Sequence, residues 1–410
     1  MPLSTAKAAP GGGTILLLAA VAALGSLATQ LLVPALPQVA RDLHAGVPDA
    51  QLVIGVFLIG LGAGQLLMGP LTDRIGRRPV LLAGLALYCL GSLAAAIAPV
   101  LSLLLLARAA QALGASAGVV TARVLVSDLY PPEQAAAKQA TLMGVVLVSP
   151  ALAPVIGGAL TEWLGWRAVF GLLALAGAAG ALLAATRLPV GPSRPIVQDR
   201  KGKSLPRAYR LLCANRQFCA GTLAIAGNSA ALYMFLGTAP FLLEHGHGLS
   251  PRETGLCMLL IAGASIGGTF MVGRIERSGN ALLTGTATSM AGSLVLLALA
   301  ALHFGGLAAF IGPMMLLGLG AGMTGPSGIT RVIRSQPGME GTAASLAGAT
   351  QMLASALCAW LLGHFAPVDA LKLALGIVPA AGLAVLAATL SRKPPARTMQ
   401  GLARAESRGK

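Results

Sequence analysis

Apolar and polar positions alternate along this chain in long blocks, not in the short periods of a soluble fold. Apolar runs fall near residues 14–38, 50–71, 79–98, 101–125, 138–161, 166–187, 217–243, 254–274, 281–302, 305–330, 341–363 and 368–390. Each offers about 20 residues of helix, enough to cross a ~30 Å hydrocarbon layer. Only a helix or a closed barrel satisfies every backbone polar group in that layer. The blocks predict an all-α polytopic membrane protein with twelve transmembrane helices. Between Arg187 and Arg216 the apolar pattern stops, and Arg200-Lys-Gly-Lys203 appears among Pro189, Pro192, Pro195 and Pro206. This break divides the chain into a six-helix bundle over 1–187, a basic linker over 188–216, a second six-helix bundle over 217–391 and a basic tail over 392–410.

The two bundles read as pseudo-symmetric halves. Gly60-x-x-x-Gly64 recurs as Gly263-x-x-x-Gly267, and Gly114-x-x-x-Gly118 as Gly318-x-x-x-Gly322. Small residues four apart let helix backbones approach closely, and equivalent helices of two related halves would need the same contacts.

Composition agrees with the blocks. The 410 residues are 56% hydrophobic and 10% charged, with a mean hydropathy of +0.79, against about 25% charged residues in a soluble domain. The net charge of +16 suggests nucleic acid at first sight, but the basic residues sit between spans without any nucleic-acid module. They follow the positive-inside rule instead. With the N-terminus in the cytoplasm, Arg41, Arg167, Arg252 and Lys372 fall outside and Arg108 within a span, and every other Lys and Arg faces the cytoplasm. Both termini are then cytoplasmic, and the basic linker lies against anionic lipid of the inner leaflet. Only Lys7 precedes the first apolar run, which continues past 20 residues, so an uncleaved first helix is expected over a signal peptide. Cys89, Cys213, Cys219, Cys257 and Cys358 are scattered and read as free thiols, and neither they nor His245-x-His247 form a metal site.

One intramembrane charge stands out. Arg108 lies roughly eight residues, or ~12 Å, in from the outer end of the fourth span, and no acid lies at a similar depth. Such an Arg is costly unless it faces the bundle interior or a water-filled cavity, which makes it a functional candidate; the alternative is snorkelling to the outer surface. Gln111, three residues on, shares its face and can hydrogen-bond to it. In the fifth span Gly144, Pro150, Pro154, Gly157 and Gly158 predict a bent, small-faced helix suited to a rocking surface.

After the second span stands Gly69-Pro-Leu-Thr-Asp73-Arg74-Ile-Gly76-Arg77-Arg78-Pro79. Gly permits a tight turn there, and Asp73 can meet cations and a helix N-terminus, which suggests a latch of weak, breakable pairs. Arg123 and Asp128, at the cytoplasmic end of the fourth span, are the evident partners. The loop resembles the G-x-x-x-D-R-x-G-R-R signature of the major facilitator superfamily. That resemblance implies the major facilitator fold, with Asp73 facing Arg123 and the start of the eleventh span near Gly341-Thr342, and Arg77 near Asp128, closing the cytoplasmic side in the outward-open state. The alternative is that these charges only set topology. The second copy, Gly273-Arg-Ile-Glu-Arg277, is degenerate.

Further local likeness narrows the family. Val33-Pro-Ala-Leu-Pro37, Arg108-Ala-Ala-Gln111-Ala-Leu-Gly114, Asp128-Leu-Tyr-Pro131, Pro150 to Gly158, Gly165-Trp-Arg167, Pro240-Phe241 and Gly341 to Gly348 together resemble the bicyclomycin/chloramphenicol-resistance (Bcr/CflA) subfamily of drug:proton antiporters. The resemblance implies efflux of small amphipathic drugs or metabolites across a bacterial inner membrane, with the proton as coupling ion. It has one departure: where that subfamily generally carries an Asp in the first span, this chain has Gln30, which cannot titrate. Gln30, Arg108, Gln111, Asn228, Tyr233 and Gln351, with Met234 and Phe235 as adaptable apolar wall, are the candidate substrate-binding residues. The rival readings are a facilitative or uptake carrier and, from another class, a membrane-embedded enzyme, which would need a deep catalytic cluster that the sequence lacks. No cofactor is expected, and a monomer is.

Overall fold

The computed structural model describes residues 12–130, 132–188, 205–336, 339–365 and 369–391. The first span is α1 (Gly12–Gln30), a 3-10 turn (Val33–Ala35) and α2 (Leu36–Asp42). It was expected as one helix over 14–38. Pro34 and Pro37 interrupt it, because each lacks the N–H that would bond back into the preceding turn. There follow α3 (Val47–Ile75), α4 (Arg77–Ala96), α5 (Leu101–Leu129), α6 (Pro132–Leu164) and α7 (Trp166–Arg187), the second to sixth spans. The seventh to twelfth are α9 (Arg216–Phe241), α10 (Pro251–Ser278), α11 (Ala281–Ala301), α12 (Leu307–Arg334), α13 (Glu340–Gly363) and α14 (Ala370–Leu390). Eleven described helices are long and apolar enough to cross a membrane; in α6 the described apolar stretch is Ala151–Leu164.

Within the expected linker stands a short helix, α8 (Leu205–Ala214). Its Leu212 is buried against Phe218, Val332 and Ala343, at the same end of the molecule as the starts of α9 and α13. A window tuned to 20-residue spans passes over a ten-residue amphipathic helix, whose apolar face is only two turns long.

The first described helix begins and the last ends at one pole, here the terminal pole, where the α3–α4 turn also lies. The other is the distal pole. Helices pack through glycines, as the repeat predicts: Gly60, Gly64, Gly114, Gly318 and Gly322 make close contacts, while Gly263 and Gly267 do not. In the first half a Cβ at Gly114 would lie 2.4 Å from the Tyr88 nitrogen and 2.5 Å from the Gly84 oxygen of α4. The matching contact in the second half is made by Gly320 and Gly285, where a Cβ on Gly320 would lie 2.4 Å from the Gly285 oxygen, while Gly318 faces Ile261 of α10. Gly60 and Gly64 do meet α5, at Ala112 and Ser116, but Gly263 has nothing within 4 Å and Gly268 makes the close approach to α12 instead. Equivalent helices keep equivalent neighbours, while the small residue that permits the approach has shifted in register.

Candidate functional site

The two halves touch along two seams. In one, α3 of the first half meets α13 of the second: Gly55 faces Ala356, Gly62 faces Met352 and Ala349, and Gln65 lies against Gly348. In the other, α6 meets α10 so tightly that a Cβ at Gly158 would sit 2.3 Å from the Pro251 oxygen, and one at Gly255 the same distance from the Pro154 oxygen. Gly157 turns the other way, onto the Leu31 oxygen after α1. The glycine pair therefore gives one member to each half. Pro150 has its side chain outside the described residues.

Both seams are closed at the distal pole. Arg41 pairs with Glu244, the Arg252 nitrogen donates to Glu162 Oε2 at 3.3 Å, and Gln51 donates to Gly237 and Thr238. Toward the terminal pole a Cβ added at Gly69 on α3, Gly341 on α13, Gly144 on α6 or Gly273 on α10 would meet nothing within 4 Å, so none of these glycines is a point of close helix contact.

The α3–α4 turn is built by Gly76, whose φ of 104° is open to glycine at little cost. The turn aims Arg77 inward, where it donates from Nε to Asp128 Oδ2 at 3.1 Å and from Nη1 to the Thr72 oxygen at 2.9 Å. Arg77 is buried and Asp128 partly exposed. Arg78 donates to the Ala185 oxygen at the end of α7, and Arg74 is exposed. Arg123, on α5, has an interaction of its own. The side chain of Asp73 lies outside the described residues, and so does its expected contact with Arg123. The second half carries a network of reversed sign: Arg331 at the end of α12 reaches Asn280 at 2.6 Å and Glu276 at 3.6 Å.

Arg108 is fully buried inside the first half. Its Nε donates to the Val53 oxygen of α3 at 3.0 Å, and its Nη1 to the Ala28 oxygen of α1 at 3.2 Å and to Gln111 Oε1 at 2.7 Å. Gln111 passes the chain on to Ser92 Oγ at 2.7 Å on α4. The guanidinium lies over the Phe57 ring at 4.1 Å, with Phe170 at 5.7 Å. Of the two placements expected, the bundle interior or a water-filled cavity, Arg108 takes the first and does not snorkel; its hydrogen-bond partners are backbone carbonyls and Gln111, and Gln30 is not among them. The reason is local. The Ala28 carbonyl, in the last turn of α1 just before the break in the first span, and the Val53 carbonyl of α3 converge on one point, and a planar fork with several donors meets both.

In the second half Gln351 Nε2 donates to Ser229 Oγ at 3.0 Å, and Ser355 Oγ to the same oxygen at 3.1 Å, lacing α13 to α9. Asn228 is buried, and its Oδ1 has no hydrogen-bond partner among the described residues. Gln30 and Tyr233 are half-buried, Met234 and Phe235 buried. Two cavities of about 330 and 420 Å³ flank the helices, one beneath the α3–α4 turn and one among α9, α13 and α14. Both are apolar, and of the substrate-binding candidates only Met234 lines either.

Several residues that matter were not singled out by sequence. Gln38 and Asp42 take the backbone and indole N–H of Trp166 at 3.0 and 2.8 Å, with Arg167 at 3.6 Å from Asp42, so Gly165-Trp-Arg167 pins the first span to the sixth. Gln51, Ser229 and Ser355 are polar residues in apolar runs, the one signal that marks them.

A family model described as Major Facilitator Superfamily matches residues 18–359. The chain is 32% identical over 355 residues to multidrug resistance protein D of Escherichia coli (strain K12), covering 85% of this chain and 87% of that one. It is 32% identical to the chloramphenicol resistance protein of Pseudomonas aeruginosa, over 75% and 73% of the two chains. Among solved structures it is similar in fold to a bacterial homologue of the human lysosomal transporter Spinster in an inward-facing, unoccupied conformation (TM-score 0.74, 16% identity, 93% of this chain and 98% of that chain). It is similar too to a D-xylose-proton symporter (TM-score 0.71, 16% identity, 92% and 97%).

Proposed function

The chain belongs to the major facilitator superfamily, and from that premise we propose that it is a secondary active efflux transporter. It exports small amphipathic drugs or metabolites by alternating access, in exchange for protons. The observation that carries this reading is the pair of seams between the halves, tied at the distal pole by Arg41 with Glu244, Arg252 with Glu162 and Gln51 with Gly237 and Thr238, and without close glycine contacts at Gly69, Gly341, Gly144 and Gly273 toward the terminal pole. Two halves that rock about such seams expose a cleft to one side at a time. The relatives named for multidrug and chloramphenicol resistance support the substrate class.

The basic residues assign the terminal pole to the cytoplasm, with both termini inside a bacterial inner membrane, and make this the inward-facing state. One chain supplies both halves, so a monomer holds the whole path, with residues 188–216 as tether. The α3–α4 turn with Arg77, Asp128 and Arg123 forms half of the cytoplasmic latch, and Asp73 engages the α13 start when the cleft closes on that side. Gln30, Asn228, Tyr233, Met234, Phe235 and Gln351 form the loosely selective binding wall, and Arg108 with Gln111 braces the helices behind it. The protein is a carrier and not an enzyme. With Gln30 in the first span, the proton travels on another group or on the substrate itself.

The test is flux in inverted membrane vesicles under an imposed pH gradient, with the amphipathic dye ethidium as probe. Accumulation against the dye gradient, collapsed by a protonophore, is expected. Equilibration that ignores the pH gradient would favour the facilitative carrier.

A further inference from the structure

At the distal pole the side chain of Gln51 crosses from one half into the other within the protein interior. Gln51, near the start of α3, is 3% exposed. Its Nε2 donates to the Gly237 oxygen and to Thr238 Oγ1 of α9, each at 3.2 Å. Its Oε1 has no partner among the described residues and lies beneath Gly363 of α13, where an added Cβ would stand 2.4 Å from it and 2.9 Å from the Pro48 Cα. A single amide thus sits where three helices from both halves meet. Two further polar contacts between the halves at this pole, Arg41 with Glu244 and Arg252 with Glu162, are on the exposed rim.

The two faces of this amide act in opposite directions. Donor bonds made away from water hold α9 against α3, while the stranded acceptor carries a desolvation penalty that hydration would relieve. Parting the halves lets water reach Oε1 and releases Nε2. Closure at this point is therefore favourable by a small margin and reversible, as a cycling gate requires.

We propose that Gln51 is the positioning residue that sets the balance between the closed and open distal pole, with Gly363 as the space it closes into. The proposal rests on the alternating-access reading above and extends it to a specific gate. Gln51→Met keeps the bulk and removes the donor. Gln51→Glu removes the donor only while ionised, since a carboxylate accepts and cannot donate to Gly237, whereas a protonated carboxyl restores one donor. Gly363→Ala fills the space instead.

The measurement is the spin-label distance between Val100→Cys and Phe304→Cys, two exposed positions on distal loops of opposite halves, in full-length chain with Cys89, Cys213, Cys219, Cys257 and Cys358 replaced. Folded material in lipid discs is selected by gel filtration. Gln51→Met is expected to raise the open-to-closed ratio roughly five- to tenfold, and Gly363→Ala to raise it as well. Gln51→Glu is expected to match the parent at low pH and to open as pH rises. The parent measured over the same range is the reference for the other distal ionisable groups, Arg41, Asp42, His44, Asp49, Glu244, His245, His247 and His364. Distances unchanged in all three variants at every pH would overturn the gate. Dye efflux recorded in parallel separates the two ideas: efflux without a distance response leaves the transporter and removes the gate, and a distance response in a chain that moves no substrate does the reverse.

Discussion

At the residue scale the clearest lesson is Arg108. Three acceptors on three elements, the Ala28 and Val53 oxygens and Gln111 Oε1, converge on one guanidinium under the Phe57 ring. Arg108→Lys puts a point charge where a planar fork is needed and leaves at least one buried acceptor unpaired, a loss of about 1–3 kcal/mol. The expected outcome is a lower melting temperature in detergent with substrate affinity unchanged in the folded fraction; weakened affinity at an unchanged melting temperature would return Arg108 to the binding wall. Gln30 is a separate matter. Arg108 already donates to the Ala28 and Val53 oxygens and to Gln111, and Gln30 is not among its partners, so Gln30→Asp adds a carboxyl outside that set. Efflux by Gln30→Asp should therefore depend more steeply on the imposed pH gradient than efflux by the parent. A slope equal to the parent's in vesicle flux would show that this position carries no proton even when it can.

At the scale of elements, backbone proximity decides which small residues matter. Gly114→Ala would drive a Cβ into the Tyr88 nitrogen and the Gly84 oxygen, both backbone atoms that yield only if α4 and α5 separate. A destabilisation of about 1–3 kcal/mol is expected, read as a loss of thermal stability in detergent. Gly263→Ala, with nothing within 4 Å, should melt with the parent although it belongs to the same kind of sequence motif. Gly76 illustrates the other use of glycine. Its φ of 104° is strained for any side chain, so Gly76→Ala should shift the aim of Arg77 away from Asp128 and weaken the latch before it weakens the fold.

At the scale of the whole molecule, the balance between two states is what substitutions move. Arg41 and Glu244 form an exposed pair across the distal pole, and exposed pairs contribute ~0–1 kcal/mol. Arg41→Ala should then change the open-to-closed ratio no more than about fivefold, and less as salt rises; a larger or salt-independent change would make this pair the principal gate. At the other pole, Asp73→Asn should abolish or severely reduce transport while the protein still reaches the membrane, because the latch loses its charge and the spans lose nothing. Normal flux through Asp73→Asn in vesicles would leave the α3–α4 charges as topology signals alone.

What the sequence by itself determined is what one-dimensional patterns encode. Span number follows from lengths of apolar run set against bilayer thickness. The basic pole follows from where Lys and Arg interrupt those runs, and the turn at Gly76 from residue types that permit one backbone shape. These signals are local, so each survives without knowledge of neighbours. Only the tertiary structure decided the rest. Whether Arg108 meets water or carbonyls depends on how α1, α3 and α5 converge. Whether Gly263 or Gly268 takes the close contact depends on helix register, which a shift of one residue rotates by about 100°. The state of the two poles, and the place of Gln51 between the halves, depend on a rigid-body arrangement in which the same helices have more than one way to meet. No run of residues records that choice, because the free-energy difference between the arrangements lies in contacts between distant segments.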